Sequence, residues 1–146
     1  MRRAPSYAAV GFGSKAARVV DVYRRWPTKE ACIEHLEAVR WGGFPLCTYC
    51  GARRVSRSRD SSRGLTGGRW KCQRCMRSVS ATVGTIFHGS HIDLQRWFLL
   101  IELMRAGELS ATQVARDLDM RRATVWSMMR RIRQAMADDD ELLAAL

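Results

Sequence analysis

The sequence lacks a long apolar run, and it lacks the features of a secretory leader. About 18 consecutive apolar residues are needed before a membrane span is considered, and no such run occurs among the 146 residues. The apolar stretch near the N-terminus is interrupted by Gly11, Gly13, Ser14 and Lys15, which argues against a secretory signal. These absences predict a cytoplasmic protein with no membrane partner.

Lysine and acidic residues are both scarce beside arginine. The chain has 25 basic against 14 acidic residues, and the lysines are Lys15, Lys29 and Lys71. The planar guanidinium fork suits phosphates and guanine edges, whereas a membrane surface favours polybasic lysine runs. Nucleic acid is therefore the expected partner. Because 47% of the residues are hydrophobic, the chain can fold as one ordinary domain or two small ones.

Four of the five cysteines form two C-x2-C pairs, Cys47 with Cys50 and Cys72 with Cys75. A reducing cytoplasm disfavours disulfides and leaves thiolates free for metal. Two such pairs complete the closed tetrahedral shell of one structural Zn²⁺, with Zn–S distances near ~2.3 Å. A redox motif would need a βαβ setting that the sequence lacks. Iron–sulfur ligation has the right ligand count and stays open as an alternative.

The remaining cysteine and the histidines are assigned to packing or to the surface. Cys32 lies in the helical segment KEACIEHLEAVRW and is expected to be a small buried side chain. His88 and His91 flank the junction after the second cysteine pair and could replace a ligand, but four cysteines already complete the shell. His35 is expected to be a surface or packing residue.

Between and beyond the cysteine pairs, the pattern predicts three short strands, in RRVSRSR, RWKC and SVSATVGTIF. Three strands held by one metal make a zinc ribbon, which needs the metal to fold. From Cys47 to Arg77 the acidic residue is Asp60, so the predicted DNA contacts here are Arg53, Arg54, Arg57, Arg59, Arg63, Arg69 and Lys71. The alternative is a solvated charged hairpin.

After the ribbon, the apolar period changes to that of helices. Ser90 and Ser110 each open a capping-box pattern, Asp119 supplies a tight turn, and RRATVWSMMRRIRQAM follows as a third helix. This order predicts a helix-turn-helix. Its third helix would present Arg121, Arg122, Thr124 and Ser127 to a major groove and Arg130 and Arg131 to phosphates. The alternative is a helical hairpin with a solvated basic face.

These segments together resemble a known family. The order of WPTKEACIEHLEAVRW, CTYCG, the continuous GTIFHGSHIDLQRW and LSATQVARDLDMRRATVWSMMRRIRQAM resembles the N-terminal part of the ISXO-like zinc-ribbon insertion-sequence transposases, over about residues 26 to 137. The resemblance implies that the ribbon and helices bind terminal inverted repeats, and that an RNase H-like catalytic domain follows. The sequence departs from the family in ending at Leu146 and in having Thr48 where proline is usual.

The acidic residues do not predict catalysis. Two-metal phosphoryl transfer needs separated carboxylates that converge on ions about 4 Å apart. The acidic cluster Asp138 to Glu141 consists of neighbours near the end of the sequence, so it is expected to be solvated. No enzyme activity is expected of this chain.

The sequence thus predicts a small α+β protein, with a helix, a four-cysteine zinc ribbon and a tri-helical helix-turn-helix unit in that order. The expected divisions are a flexible segment 1–25, a helix and ribbon 26–89, a helix-turn-helix 90–137 and a tail 138–146. The predicted function is transposase-like recognition of double-stranded DNA at the bacterial nucleoid. The alternatives are the DNA-binding part of an active transposase whose catalytic domain is elsewhere, and a protein-interaction or transcription-regulatory module. The oligomeric state and the target sequence are not indicated.

Overall fold

The computed structural model describes residues 15–58, 69–107 and 109–146. Helices enclose one core, and a small antiparallel sheet stands beside it, which confirms the small α+β class. The elements are α1 Lys15–Arg25, α2 Lys29–Trp41, β1 Val55–Arg57, β2 Trp70–Cys72, β3 Ser78–Val79, α3 Leu94–Arg105, α4 Ala111–Asp117, α5 Arg122–Ala137 and α6 Glu141–Ala144.

The helical core is built around α3. Its residues from Trp97 to Ile101 are all buried, so the helix is apolar on nearly every side, as expected for a central helix. Helices α1, α2 and α5 pack against it. Cys32 on α2 is fully buried in this core, which confirms its predicted packing role.

Residues 15–25 were expected to be loosely ordered, and that expectation is wrong. They form α1, whose Val22 is 1% exposed and packs into the helical core. The ion pairs Lys15–Asp117 and Arg25–Glu102 tie the helix to α4 and α3. The reason lies in the spacing of Val19, Val22 and Trp26, which recur at intervals of three and four and place an apolar stripe on α3. Residues 1–14 lie outside the described part of the chain.

Asp138, Asp139 and Glu141 are exposed, as expected for the acidic cluster, but residues 138–146 are not a loose tail. The Asp140 carboxylate accepts hydrogen bonds from the amides of Leu142 and Leu143 and so caps α6. Leu143 and Leu146 are buried in the helical core. Arg25 Nη2 donates to the Leu146 carbonyl at 2.9 Å. The acidic cluster therefore contains a structural cap and docks the chain's last turn.

The helix-turn-helix consists of α4, the turn at Asp119 and α5, and it agrees with the predicted order. Asp119 has φ 49°, the left-handed conformation that the turn requires. At the start of α3, however, Asp93 rather than Ser90 occupies the N-cap position, and its side chain makes no cap hydrogen bond. The Ser90 hydroxyl instead accepts hydrogen bonds from the Ile92 amide and the Trp97 indole, at 3.1 and 3.0 Å.

The ribbon sheet has the strand order β1-β2-β3, with antiparallel neighbours. Its buried cluster is small and consists of Cys47, Cys72 and Val79, separate from the helical core. The strand predicted over SVSATVGTIF is limited to Ser78–Val79, and turns follow it. Such a small cluster cannot hold three short strands alone, so the metal supplies much of the folding free energy.

A seam of side chains joins the ribbon to α2; we define it as Glu37, Trp41, Arg57 and Trp70. The Trp70 indole donates to Glu37 Oε1 at 2.8 Å, and the Trp41 and Trp70 rings meet edge to face at 6.3 Å. Arg57 lies 3.6 Å from Glu37 Oε2 and 4.8 Å from the centre of the Trp70 ring. Because α2 is also part of the helical core, the seam fixes the ribbon relative to the helices.

Arg40 on α2 fixes the segment that leads from the ribbon to α3. Its Nη1 donates to the Ala81 carbonyl at 2.9 Å and also to the Val83 carbonyl. Burial lowers the pKa of Arg40 from its ordinary value, although the guanidinium stays charged. Gly84 lies in the same segment and has φ +75°, a left-handed conformation that glycine adopts readily.

Replacing Arg40 with methionine should lower the free energy of unfolding by about 1–3 kcal/mol, because two carbonyls lose their donor. Urea denaturation of the zinc-loaded protein measures the change. The control is Arg24→Met, since Arg24 is exposed on α1, and it should change stability by less than about 0.5 kcal/mol. Equal stability of the Arg40 variant and the unsubstituted protein would contradict this role.

Candidate metal centre and nucleic-acid interface

The four paired cysteines meet at one point of the ribbon. Their sulfurs all lie within 4.8 Å of one another. Across the two pairs, Cys47 Sγ lies 3.6 Å from Cys75 Sγ, and Cys50 Sγ lies 3.6 Å from Cys72 Sγ. A regular tetrahedron with Zn–S bonds of ~2.3 Å has edges of about 3.8 Å. The donor set and its spacing therefore fit one structural Zn²⁺, as predicted.

The two cysteine turns have the same backbone design. The Gly51 amide donates to the Cys47 carbonyl at 2.8 Å, and the Met76 amide donates to the Cys72 carbonyl at 3.0 Å. Gly51 and Met76 each follow the first cysteine of their pair by four residues, and both are left-handed, with φ 69° and 61°. The left-handed residue reverses the direction of the chain after each pair, so that both sulfurs of the pair lie on the same side. Glycine adopts the conformation readily, whereas Met76 adopts it at some cost.

Backbone amides prepare two of the sulfurs for metal binding. The amides of Cys75 and Arg74 both donate to Cys72 Sγ at 3.4 Å, and they lower the pKa of Cys72 to about 6. Burial opposes ionisation of Cys47, but the Cys50 and Tyr49 amides outweigh it and lower the pKa of Cys47. Since the thiolate is the zinc ligand, these amides favour the binding form.

Cys50 and Cys32 show the opposite tendency. The Ala52 amide favours the Cys50 thiolate, but burial and the three neighbouring sulfurs outweigh it and raise the pKa of Cys50 to about 11. A divalent cation among four sulfurs relieves this crowding of negative charge. Burial raises the pKa of Cys32 to about 12, so that thiol stays protonated in the helical core.

The histidines do not join the metal centre. His88 and His91 are exposed, and the four cysteines form the one cluster of three or more ligating side chains within residues 15–58, 69–107 and 109–146. His35 packs its ring against Trp26 and Phe98, at centroid distances of 5.2 and 6.2 Å, in line with its predicted packing role. The predicted ligand set therefore needs no histidine.

The ribbon presents a cationic surface, which we define as Arg53, Arg54, Arg69, Lys71, Arg74 and Arg77. All six side chains are exposed. Arg77 lies over the Tyr49 ring, 4.9 Å from its centre. Arg57, another predicted DNA contact, is instead held in the seam by Glu37 and Trp70. Arg59 and Arg63 lie outside the described residues.

A cleft of about 480 Å³ extends the cationic surface toward the helices. It lies between α2, the ribbon and the segment before α3. Its lining includes the basic side chains of Lys29, Arg69 and His91 beside the carboxylate of Asp93. Lys29 thus brings a basic side chain from the start of α2 to the same cleft as Arg69.

On α5, the predicted DNA contacts divide into two groups. Arg121, Arg122 and Ser127 are exposed in the N-terminal half of the helix, and Arg130 is exposed at its middle. Thr124 is half-buried, and Arg131 Nη1 donates to the Ile86 carbonyl at 3.2 Å.

The prediction missed Trp126, which is 52% exposed on the same helix. The sequence did contain a signal for this residue, namely a large apolar ring with arginines at helical spacing on either side.

Comparison with known proteins agrees with this ribbon. Residues 27–78 match the family model described as the transposase zinc-ribbon domain. This segment is similar to the zinc ribbons of transposases. The match begins just before α2 and ends at the start of β3, so it includes the seam and the four cysteines. The match confirms the resemblance of this region to zinc-ribbon insertion-sequence transposases that the sequence indicated.

A relative extends the similarity into the helices. The chain is 29% identical over 101 residues to an uncharacterized protein in transposable element ISH50 of Halobacterium salinarum. The aligned region is 69% of this chain and 33% of the relative, so the chain spans about one third of that protein's length. No solved structure matches the chain. In the described part of the chain, every helix is too short or too polar to span a lipid bilayer.

Proposed function

We propose that the ribbon and the helix-turn-helix together bind double-stranded DNA. The observation that supports this most is the exposure of the cationic ribbon surface, whose six side chains make no ion pair within the described residues. Because no carboxylate of the described residues pairs with these side chains, their charge is available to a polyanion. Arginines left open on one small unit are the electrostatic footprint of phosphate contact.

Each unit has a different role in this proposal. Helix α5 enters the major groove with Arg122 and Ser127 near its front, and Arg122 reaches guanine. Arg121 and Arg130 contact the flanking phosphates, and the cationic ribbon surface follows the backbone beside them. The seam fixes the two units at one spacing, so that binding by one brings the other to the duplex at high effective concentration. The division at residues 26, 90 and 138 remains a proposal, since α2 serves both units.

The length of the relative favours a place within a longer transposase. The chain spans about one third of a protein in a transposable element. We therefore propose a DNA-recognition module for transposition and DNA recombination, acting at the bacterial nucleoid, with the catalytic carboxylates supplied by another region or another chain. The module itself performs no cleavage in this proposal. A nicking assay with Mg²⁺ or Mn²⁺ on a bound duplex tests that point.

Binding of the zinc-loaded protein to a labelled duplex should weaken steeply with salt. With about six phosphate contacts, affinity should fall about 10³-fold between 50 and 200 mM salt, because each contact releases condensed counterions. Fluorescence anisotropy across a salt series measures the slope. A salt-insensitive or absent signal would favour a protein-docking module and contradict the proposal.

A further inference from the structure

Trp126 is an exposed aromatic residue that the fold does not explain. Of the five tryptophans, Trp26 and Trp97 are buried, and Trp41 and Trp70 pack against each other in the seam. Trp126 is 52% exposed and is not part of the hydrophobic core. About half of this large residue therefore remains in water, where a partner can still cover it.

The surroundings of Trp126 form a basic stripe on α5, which we define as Arg122, Trp126, Arg130 and Arg133. Intervals of four, four and three place these side chains on one side of the helix. All four are exposed, while Val125, Met129 and Ile132 are buried on another side. The Arg130 guanidinium lies 5.9 Å from the centre of the indole ring, close enough for a cation–π contact that orients the ring.

The neighbours of the stripe leave it open to a large partner. Ala123 and Ser127 lie beside Trp126 on the exposed face, and both have short side chains. A surface that approaches α5 can therefore reach the indole without displacing bulky groups. Once such a surface covers the ring, the exposed indole area is removed from water, which is favourable in proportion to that area.

We infer that Trp126 determines sequence specificity by packing its indole against the C5-methyl group of a thymine in the major groove. This inference rests on the proposed DNA-binding function. The arginines of the stripe present charged hydrogen-bond donors at their tips, which suit guanine or phosphate. The thymine methyl is the apolar group that bases present in the major groove, and apolar side chains recognise it. Trp126 supplies the complementary apolar surface among these arginines.

The test uses the zinc-loaded full chain and a duplex selected by that protein from a random pool. Each thymine of the selected site is replaced in turn by deoxyuridine, which removes one methyl group and keeps the base pairing. The unsubstituted protein should lose about fourfold in affinity at one or two positions, the cost of one buried methyl group. Trp126→Ala should bind the selected duplex about tenfold more weakly and should no longer respond to deoxyuridine there.

Two variants complete the experiment. Trp126→Phe keeps an apolar ring and should restore part of the affinity and of the deoxyuridine response. Tyr23→Ala is the matched control, because Tyr23 is a 41% exposed aromatic residue on α1, and it should leave both unchanged. Zinc content and helical circular dichroism should be equal in all variants, since the substituted side chains lie on the surface.

The outcomes separate this inference from the proposed function. If Trp126→Ala binds as tightly as the unsubstituted protein, or responds equally to deoxyuridine, the thymine contact is overturned while DNA binding stands. If the unsubstituted protein binds no duplex at low salt, the DNA-binding function itself fails, and the thymine contact fails with it.

Discussion

Cys72→Ser should release the zinc and unfold the ribbon while the helical core stays folded. Cys72 is fully buried at the centre of the ribbon, and two backbone amides donate to its sulfur. Structural zinc contributes about 10–16 kcal/mol of apparent binding free energy in small zinc domains, and loss of one thiolate removes a large part of it. The ribbon's own buried cluster of Cys47, Cys72 and Val79 is too small to replace that contribution.

The helices should survive because their core is separate. The buried residues of α3 and α5 belong to a cluster that contains none of the four zinc ligands. Unfolding of the ribbon would remove Trp70 from Glu37 and Trp41, so a modest loss of helical stability is expected through the seam. Metal analysis and far-ultraviolet circular dichroism measure the two effects on the same sample.

Cys32→Ala provides a matched control with the opposite pattern. Cys32 is equally buried but lies in the helical core, so this variant should keep its zinc and lose about 1 kcal/mol or more of helical stability. If Cys72→Ser retained one zinc per chain, the ligand assignment would be wrong. If it lost its helices together with the zinc, the separation of the two cores would be wrong.

Arg122→Ala should reduce binding to the selected duplex by about 1–3 kcal/mol and reduce binding to a random duplex much less. The reason is that Arg122 lies exposed in the first turn of α5, where a bidentate contact to guanine discriminates among bases. Arg54→Ala, on the cationic ribbon surface, should weaken both duplexes equally and reduce the salt slope by about 1. Anisotropy titrations of each variant with each duplex, at several salt concentrations, give the affinities and the salt slopes.

The choice of Arg54 as the comparison follows from the structure. Arg57 is also basic and on the ribbon, but its contacts to Glu37 and Trp70 mean that its removal would disturb the seam as well. Arg54 is exposed on the ribbon and takes no part in the seam. If Arg122→Ala weakened binding to the selected and random duplexes equally, Arg122 would not read bases in the groove. If Arg54→Ala instead abolished the preference for the selected duplex, the ribbon would be the unit that reads the sequence.

Sequence reasoning succeeded where the deciding interactions are local. The spacing of each C-x2-C pair fixes two sulfurs on one turn, and α2 has the bounds Lys29–Trp41 that its segment predicted. The left-handed turn at Asp119 followed from the tolerance of aspartate for that conformation. In each case, the residues that form the feature lie within a few positions of one another.

The missed features depend on partners far away in the chain. Asp140 could be a cap only once Leu143 and Leu146 had a core to enter, and that core is formed by earlier helices. The seam pairs Glu37 with Trp70, which no local pattern connects. Ser90 satisfied the capping-box pattern, but the indole of Trp97, seven residues later, uses its hydroxyl instead. Local patterns state which bonds a side chain can make, and tertiary packing selects among them.

Hydroxyl-radical footprinting of the zinc-loaded protein on its selected duplex tests the joint binding of ribbon and helices most directly. We expect two adjacent protected segments, one from α5 and one from the ribbon, with the ribbon's segment lost in Cys72→Ser. A single protected segment that the substitution leaves unchanged, or no protection at low salt, would contradict the account.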